Sequence, residues 1–319
     1  MKSSMLARLF RKNQSGIAIA AVVLFLGFSL FTDSFLTPYN LFNISRDLAF
    51  YALIGLGQAV VMAIGGMNVS LGAIGGLATT IVGILITKAG ASNAIPALGA
   101  VGVGIACGAF NGFFITRFRI NDFIVTLATS FIFTGINYGL SRGFPYTNMP
   151  ASITFIGRGS LFGLPYLFWI ALAIMGFAYF FFTYTITGRY ILATGSNLNA
   201  ARLSGVKTSR MRVVSHILSG FIAALTGFFY VSRMGSAQPA TGQNWLIISF
   251  SVAVIGGTSL NGGVISALGL FLGGIIMVMI KNGLVLVNAN VYFEQAFIGT
   301  IILAVVTLDG LRLSKRLNA

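Results

Sequence analysis

The side chains able to do acid–base, nucleophilic or metal chemistry are few and far apart. Asp33, Asp47, Asp122, Glu294 and Asp309 are the only acids in 319 residues, and His216 and Cys107 each stand alone. Five scattered carboxylates offer neither a general acid–base pair nor a metal-ligand cluster. One cysteine excludes an internal disulfide, a structural zinc site and iron–sulfur ligation. No GxxxxGK[ST] run is present, so the chain does not hold ATP by a P-loop, and energy for active transport must come from elsewhere. No catalytic residue, metal or cofactor is expected. What remains is hydrogen bonding by neutral groups beside glycine-rich breaks: Asn68 and Ser70 in one, Thr258, Ser259 and Asn261 in the other. Such groups can touch a polar solute briefly, which suits a path that must release its cargo as readily as it admits it.

These residues have to be positioned by apolar helices. The chain is 56% hydrophobic and 8% charged, with 40 glycines, whereas a soluble globule carries about 25% charged residues. At roughly 20 residues per crossing, this length holds about ten spans and little else. Small residues suit close helix packing in lipid. The fold expected is an all-α polytopic membrane protein, a single transmembrane domain over residues 1–319. The net charge of +15 does not indicate nucleic acid, because the cations lie between apolar segments with no aromatic–basic stripe.

In order, residues 1–15 are basic and 16–30 apolar, which reads as an uncleaved first helix entering from the cytoplasm. Residues 35–47 read as an amphipathic outer connection in which Arg46 and Asp47 find partners across a helix turn. A second span follows at 48–64. The glycine-rich run 65–76 is either a broken helix near a substrate path or a tight turn, with apolar residues continuing to 86. A fourth span covers 97–115, with close packing expected at GAFNG. Asp122 is expected to cap the next helix or to pair with Arg117 and Arg119. The fifth span is 123–140, an aperiodic outer loop 141–164, and the sixth span 165–186. Further spans are expected at 213–234, from 245, up to 280 and at 291–308. Residues 236–244 read as a polar outer turn, 256–263 as a second break, and 283–290 as a surface or re-entrant segment beyond Lys281 and Asn282.

Between the sixth and seventh spans, residues 187–212 carry Arg189, Arg202, Lys207, Arg210 and Arg212 and no acid. Within them Ser196 or Asn197 can cap a short helix that Ala200 and Ala201 favour and Gly205 ends. That helix is either a docking surface for another protein or part of a solvated loop. Fourteen of the twenty Lys and Arg residues fall on the N-terminus, the 117–119 turn, this loop and the tail 310–319. The bias favours both termini on the cytoplasmic side. Five spans either side of the loop would run in opposite directions, as an inverted repeat requires.

The run TGRYILATGSNLNAARLSGVKTSRMRVVSHILSG, with SAQPATGQNW and AVIGGTSLNGG after it, resembles the permease subunits of ribose- and galactoside-type ABC importers. LFNISRD, AVVMAIGGMNVSLGAIGG and the GxxNG-like fourth span fit in order, so the resemblance covers nearly the whole chain. One position departs: the family's GGxDLSxG motif usually has an acid where this chain has Asn68. The resemblance implies the importer permease fold in a bacterial inner membrane, paired with a second permease subunit as homo- or heterodimer. It also implies cytoplasmic ATPase subunits and a periplasmic or lipid-anchored sugar-binding protein that delivers a monosaccharide or related polyol. The short helix then becomes a coupling element contacting the ATPase, made of Ser196, Asn197, Ala200, Ala201 and Gly205 with Arg189, Arg202 and Lys207 flanking it. A self-sufficient carrier or channel for a small polar solute is the competing reading. All five acids lie near expected span ends, which counts against proton coupling.

Overall fold

A computed structural model describes residues 12–287, except 92 and 93, and isolated positions beyond 287. Most of the expected tenth span at 291–308, the start of the basic N-terminus and the tail 310–319 lie outside the described residues. Among those described, six helices are long and apolar enough to cross a membrane. We number them with their neighbours as α1 (Lys12–Phe31), α2 (Pro38–Met62), α3 (Leu71–Thr87), α4 (Ile95–Phe118), α5 (Asp122–Ser141), α6 (Ala151–Arg158), α7 (Tyr166–Tyr184), α8 (Ile186–Ser196), α9 (Leu198–Leu203), α10 (Thr208–Met234), α11 (Trp245–Ile255) and α12 (Ala267–Leu286). The six are α2, α4, α5, α7, α10 and α12, while α3, α11 and the apolar part of α1 are shorter.

Helix α10 lies at the centre, packed on α4, α3 and α2. Its approach to α4 is set by Gly104, Gly108 and Gly112, spaced four apart on one face. A methyl group on Gly104 would strike the Gly220 carbonyl, on Gly108 the His216 carbonyl, and on Gly112 the Val213 Cα. Without side chains between them the backbones touch, and dispersion over that contact holds the pair where lipid gives little hydrophobic drive. The GAFNG run thus packs as its composition suggests. Peripheral faces carry exposed apolar side chains, among them Val23, Leu26, Phe131, Ile132, Phe177 and Phe180, the surface a hydrocarbon solvent requires.

Several expected boundaries move. The presumed connection at 35–47 is largely helix: Thr37 Oγ1 accepts from the Asn40 amide at 3.3 Å, and Pro38 supplies a preset first-turn φ, so α2 starts there. The presumed aperiodic loop 141–164 contains α6 and a small hairpin, strand β1 (Ser160–Leu161) against β2 (Leu164–Pro165). Its two turn residues, Phe162 and Gly163, both have positive φ, at 52° and 77°, as a tight hairpin turn demands. A backbone bridge ties Tyr146 to Ala237, with N···O distances of 3.0 and 2.8 Å. Helix α12 runs past Lys281 and Asn282 to Leu286, with Asn282 satisfied by a neighbouring helix. Asn282 and Asn40 exchange amide hydrogen bonds of 2.7 and 3.0 Å, and Gly283 packs beneath Phe28. Residues 283–286 are therefore the last turn of α12, and 288–290 of the expected segment lie outside the described residues.

Candidate docking and coupling site

Two consecutive caps build the basic segment. Thr185 ends α7 and caps α8, its Oγ1 accepting from the Gly188 amide at 3.1 Å. Helix α8 was not foreseen from the sequence. It ends where Asn197 turns extended, φ −157°, and Asn197 Oδ1 accepts from the Ala200 amide at 2.9 Å to start α9. Asn197 is thus the cap, and Ser196 closes α8. Helix α9 stops at Ser204 and Gly205, the latter at φ +82°, a backbone strained for any other side chain. The chain then returns through the Val206 amide, 3.0 Å from the Ala201 carbonyl oxygen, and Arg202 Nε donates to Thr208 Oγ1 at 3.2 Å.

Helix α9 is held by little. Ala201 and Val206 are buried, while Ala200, Arg202, Gly205 and Lys207 are exposed. Leu203 is 91% exposed. Beside it lies a groove of about 590 Å³, bordered by Ile186, Arg189, Tyr190, Ala193, Ser196 and Ala200. A small-residue wall, an aromatic edge, a projecting leucine and cations without an acid among them make a surface that fits an apolar, acidic protein face. Leu203 and Tyr190 were missed in the sequence because burial, not residue type, makes them available.

The neutral polar groups at the breaks fall into two settings. Asn68 and Ser70 are fully buried. Asn68 Nδ2 donates to Ser219 Oγ at 2.9 Å, and its Oδ1 accepts from the Ser70 amide at 3.1 Å and the Ser70 hydroxyl at 2.8 Å. Asn111 Nδ2 in turn donates to Ser70 Oγ at 2.8 Å. The first break is thereby knitted to α4 and α10, and α2 and α3 scarcely touch each other. At the second break Thr258 is buried, Ser259 half-buried and Asn261 exposed. Ser259 Oγ accepts from the Asn261 amide at 3.2 Å.

Asp122 is placed otherwise than expected. Asn121 is the cap of α5, its Oδ1 accepting from the Phe123 amide at 2.8 Å. Asp122 turns inward, 3.2 Å from His216 Nε2 and 3.5 Å from Arg212 Nη1, and pairs with neither Arg117 nor Arg119. Although it begins a helix, it is buried, and so is His216. The four-residue spacing of Arg212 and His216 on one face of α10 is the signal that could have paired them. Arg46 does find a partner within its helix, donating to Asn43 Oδ1 at 2.6 Å, whereas Asp47 pairs with Arg233 of α10. Among the described residues no three His, Cys, Asp or Glu side chains gather to hold a metal ion.

Residues 40–306 match the family described as "Branched-chain amino acid transport system / permease component". The chain belongs to that family. The permease is 32% identical to the ribose import permease protein RbsC of Escherichia coli over 300 residues, 91% of this chain and 92% of that one. It is 33% identical to RbsC of Bacillus subtilis, covering 88% of each chain. Against the L-arabinose ABC transporter permease protein AraH of Azospirillum brasilense the identity is 32%, over 95% of this chain and 89% of that one. No solved structure matches it significantly. With its apolar helices, the permease is a multi-pass membrane protein.

Proposed function

We propose that the permease is the transmembrane subunit of a binding-protein-dependent ABC importer for a monosaccharide, a pentose foremost, in a bacterial inner membrane. The observation that carries this reading is end-to-end similarity to ribose and arabinose permeases, joined to an exposed, capped helix that makes few contacts of its own. In this reading the chain is one domain of ten spans with both termini cytoplasmic. Two permease subunits form the path, a binding protein presents the sugar from outside, and separate ATPase subunits hydrolyse ATP. The ATPase seats on α9, where Ala200 and Leu203 enter its surface and Arg189, Arg202 and Lys207 meet acidic groups. Ala201 and Gly205 set the shape of that helix, and Ser196 and Asn197 set its start.

The path itself is assigned to the breaks. Ser259 and Asn261 offer the accessible hydrogen bonds and Thr258 borders them, while Asn68 and Ser70 support the wall from within. Closure of the ATPases on ATP moves α9 as a rigid body and switches the gate between two states.

The test is retention of the ATPase on the tagged permease purified in mild detergent, together with uptake in vesicles. Ala200 is exposed, so Ala200→Phe leaves the fold unaffected. It should abolish ATPase retention and ATP-dependent sugar uptake while the permease stays in the membrane. Uptake that persists without ATP and collapses with the ion gradient would overturn the importer reading.

A further inference from the structure

The two glycine-rich breaks, far apart in the chain, converge at the foot of the docking helix. The Gly263 amide donates to the Ala63 carbonyl oxygen at 2.8 Å, which ties the α11–α12 loop to the end of α2. Gly195, in the last turn of α8, faces this same bond. A Cβ there would overlap the Ala63 oxygen and lie 2.6 Å from the Gly263 nitrogen. Gly262, at φ +87°, leaves its would-be Cβ 2.8 Å from the Gly65 nitrogen and 2.9 Å from the Gly195 Cα. Gly263, at φ +78°, lies against Ser196, and Gly65, at φ +77°, lies beside the Asn261 carbonyl. Three segments therefore meet at Gly195 and Ser196, the two residues before the cap of α9, backbone against backbone except for the Ser196 side chain beside Gly263.

We propose that this junction of Gly65, Gly195, Gly262 and Gly263 is where displacement of the docking helix enters the membrane helices, so that these four are positioning residues for transport. The inference rests on the reading of α9 as the ATPase seat. Helix α9 itself is held by the buried Ala201 and by the Arg202–Thr208 hydrogen bond, and Val206 anchors the turn after it, so the route from α9 to α2 and the α11–α12 loop runs through the end of α8. Side chains between packed elements can change rotamer and absorb a shift, but touching backbones cannot. A movement of Gly195 is thus handed to α2 and to the α11–α12 loop together. Both loops end helices that line the expected path, which links one push to two walls.

The experiment compares Gly195→Ala with Ala200→Phe in the assembled transporter in proteoliposomes, with binding protein and sugar present. The quantities read are ATPase retained, basal ATP hydrolysis, its stimulation by the loaded binding protein, and uptake. Gly195→Ala should retain the ATPase and its basal hydrolysis, lose the stimulation, and lower uptake by about tenfold. Ala200→Phe should lose the ATPase itself, so failure of docking and failure of transmission give different patterns. Wild-type uptake and stimulation in Gly195→Ala overturn the proposal, and so does loss of the bound ATPase in that variant. Should Gly195→Ala not accumulate, Gly65→Asn decides. Asparagine tolerates left-handed backbone, and a Cβ there meets the Asn261 oxygen at 3.4 Å. A several-fold fall in uptake with the ATPase retained supports the junction, and wild-type uptake overturns it.

Discussion

The two glycine-rich breaks look alike in sequence, each a pair of glycines, a short polar stretch and more glycine, yet they are finished differently. In the first, Asn68 and Ser70 spend their hydrogen bonds on each other, on Ser219 and on Asn111, and water does not reach them. In the second, Asn261 and Leu260 are exposed, and the buried Thr258 hydroxyl has no partner. The first break is a stitched seam, the second an open loop. Unwinding a helix in an apolar setting leaves backbone groups to be satisfied, with side chains taking the Val69 and Ser70 amides in the first break and mostly backbone carbonyls taking the amides of the second. Polar residues beside a break are therefore not evidence of a solute path until their partners are counted.

Four substitutions at three positions test that contrast, the largest effect first. Asn68→Leu should destabilise the permease by about 3 kcal/mol, because it strands Ser70, Ser219 and Asn111 in a dry interior. The readout is a fall in the thermal unfolding midpoint in detergent. Asn68→Asp should lose less, since one carboxyl oxygen still accepts from Ser70 and the Ser219 hydroxyl can turn to donate to the other. Equal midpoints for the two would mean that the seam is not what holds the break. Next, Asp122→Ala should cost about 1–2 kcal/mol. It removes a buried carboxyl group that lies against Gly66 of the first break and leaves the buried His216 Nε2 without its partner, whereas Arg212, whose side chain is 32% exposed, can turn to solvent, so the full penalty of a broken buried pair is not reached. A variant as stable as the parent would show that Asp122 does not fasten the break to α10. The smallest effect is expected at the second break, where Thr258→Val removes an unpartnered buried hydroxyl at nearly constant shape. The midpoint should stay level or rise, by up to about 1 kcal/mol, and a clear fall would reveal a bond made by Thr258.

Local signals in the chain carried far in some places. The Asn197 cap and the Gly205 stop of α9 follow from side-chain chemistry over a few residues, and the structure has both. The small-residue face of α4 was equally plain in GAFNG. Other features depended on what lies across the fold. Thr37 and Pro38 carry a helix-start signal, but the polar residues behind them masked it. Helix α6 has only eight residues, too few for a period to stand out, and Phe162 is not a residue expected in left-handed backbone. Asp122 reaches His216 only because the α4–α5 turn folds back on α10, which no local window contains. The same holds for the meeting of Gly195 with Gly263, a contact between loops that the sequence presents as unrelated.

The backbone contact between α4 and α10 has a mechanical meaning. Helices cushioned by long side chains can slide by letting those side chains repack, but Gly104, Gly108 and Gly220 leave no such cushion. The two helices should travel through a transport cycle as one stiff plank, forcing shear onto the seams that have padding to give. Distance measurements between spin labels on α4 and α10 should then return the same narrow distribution in every nucleotide state, while labels across a padded seam separate.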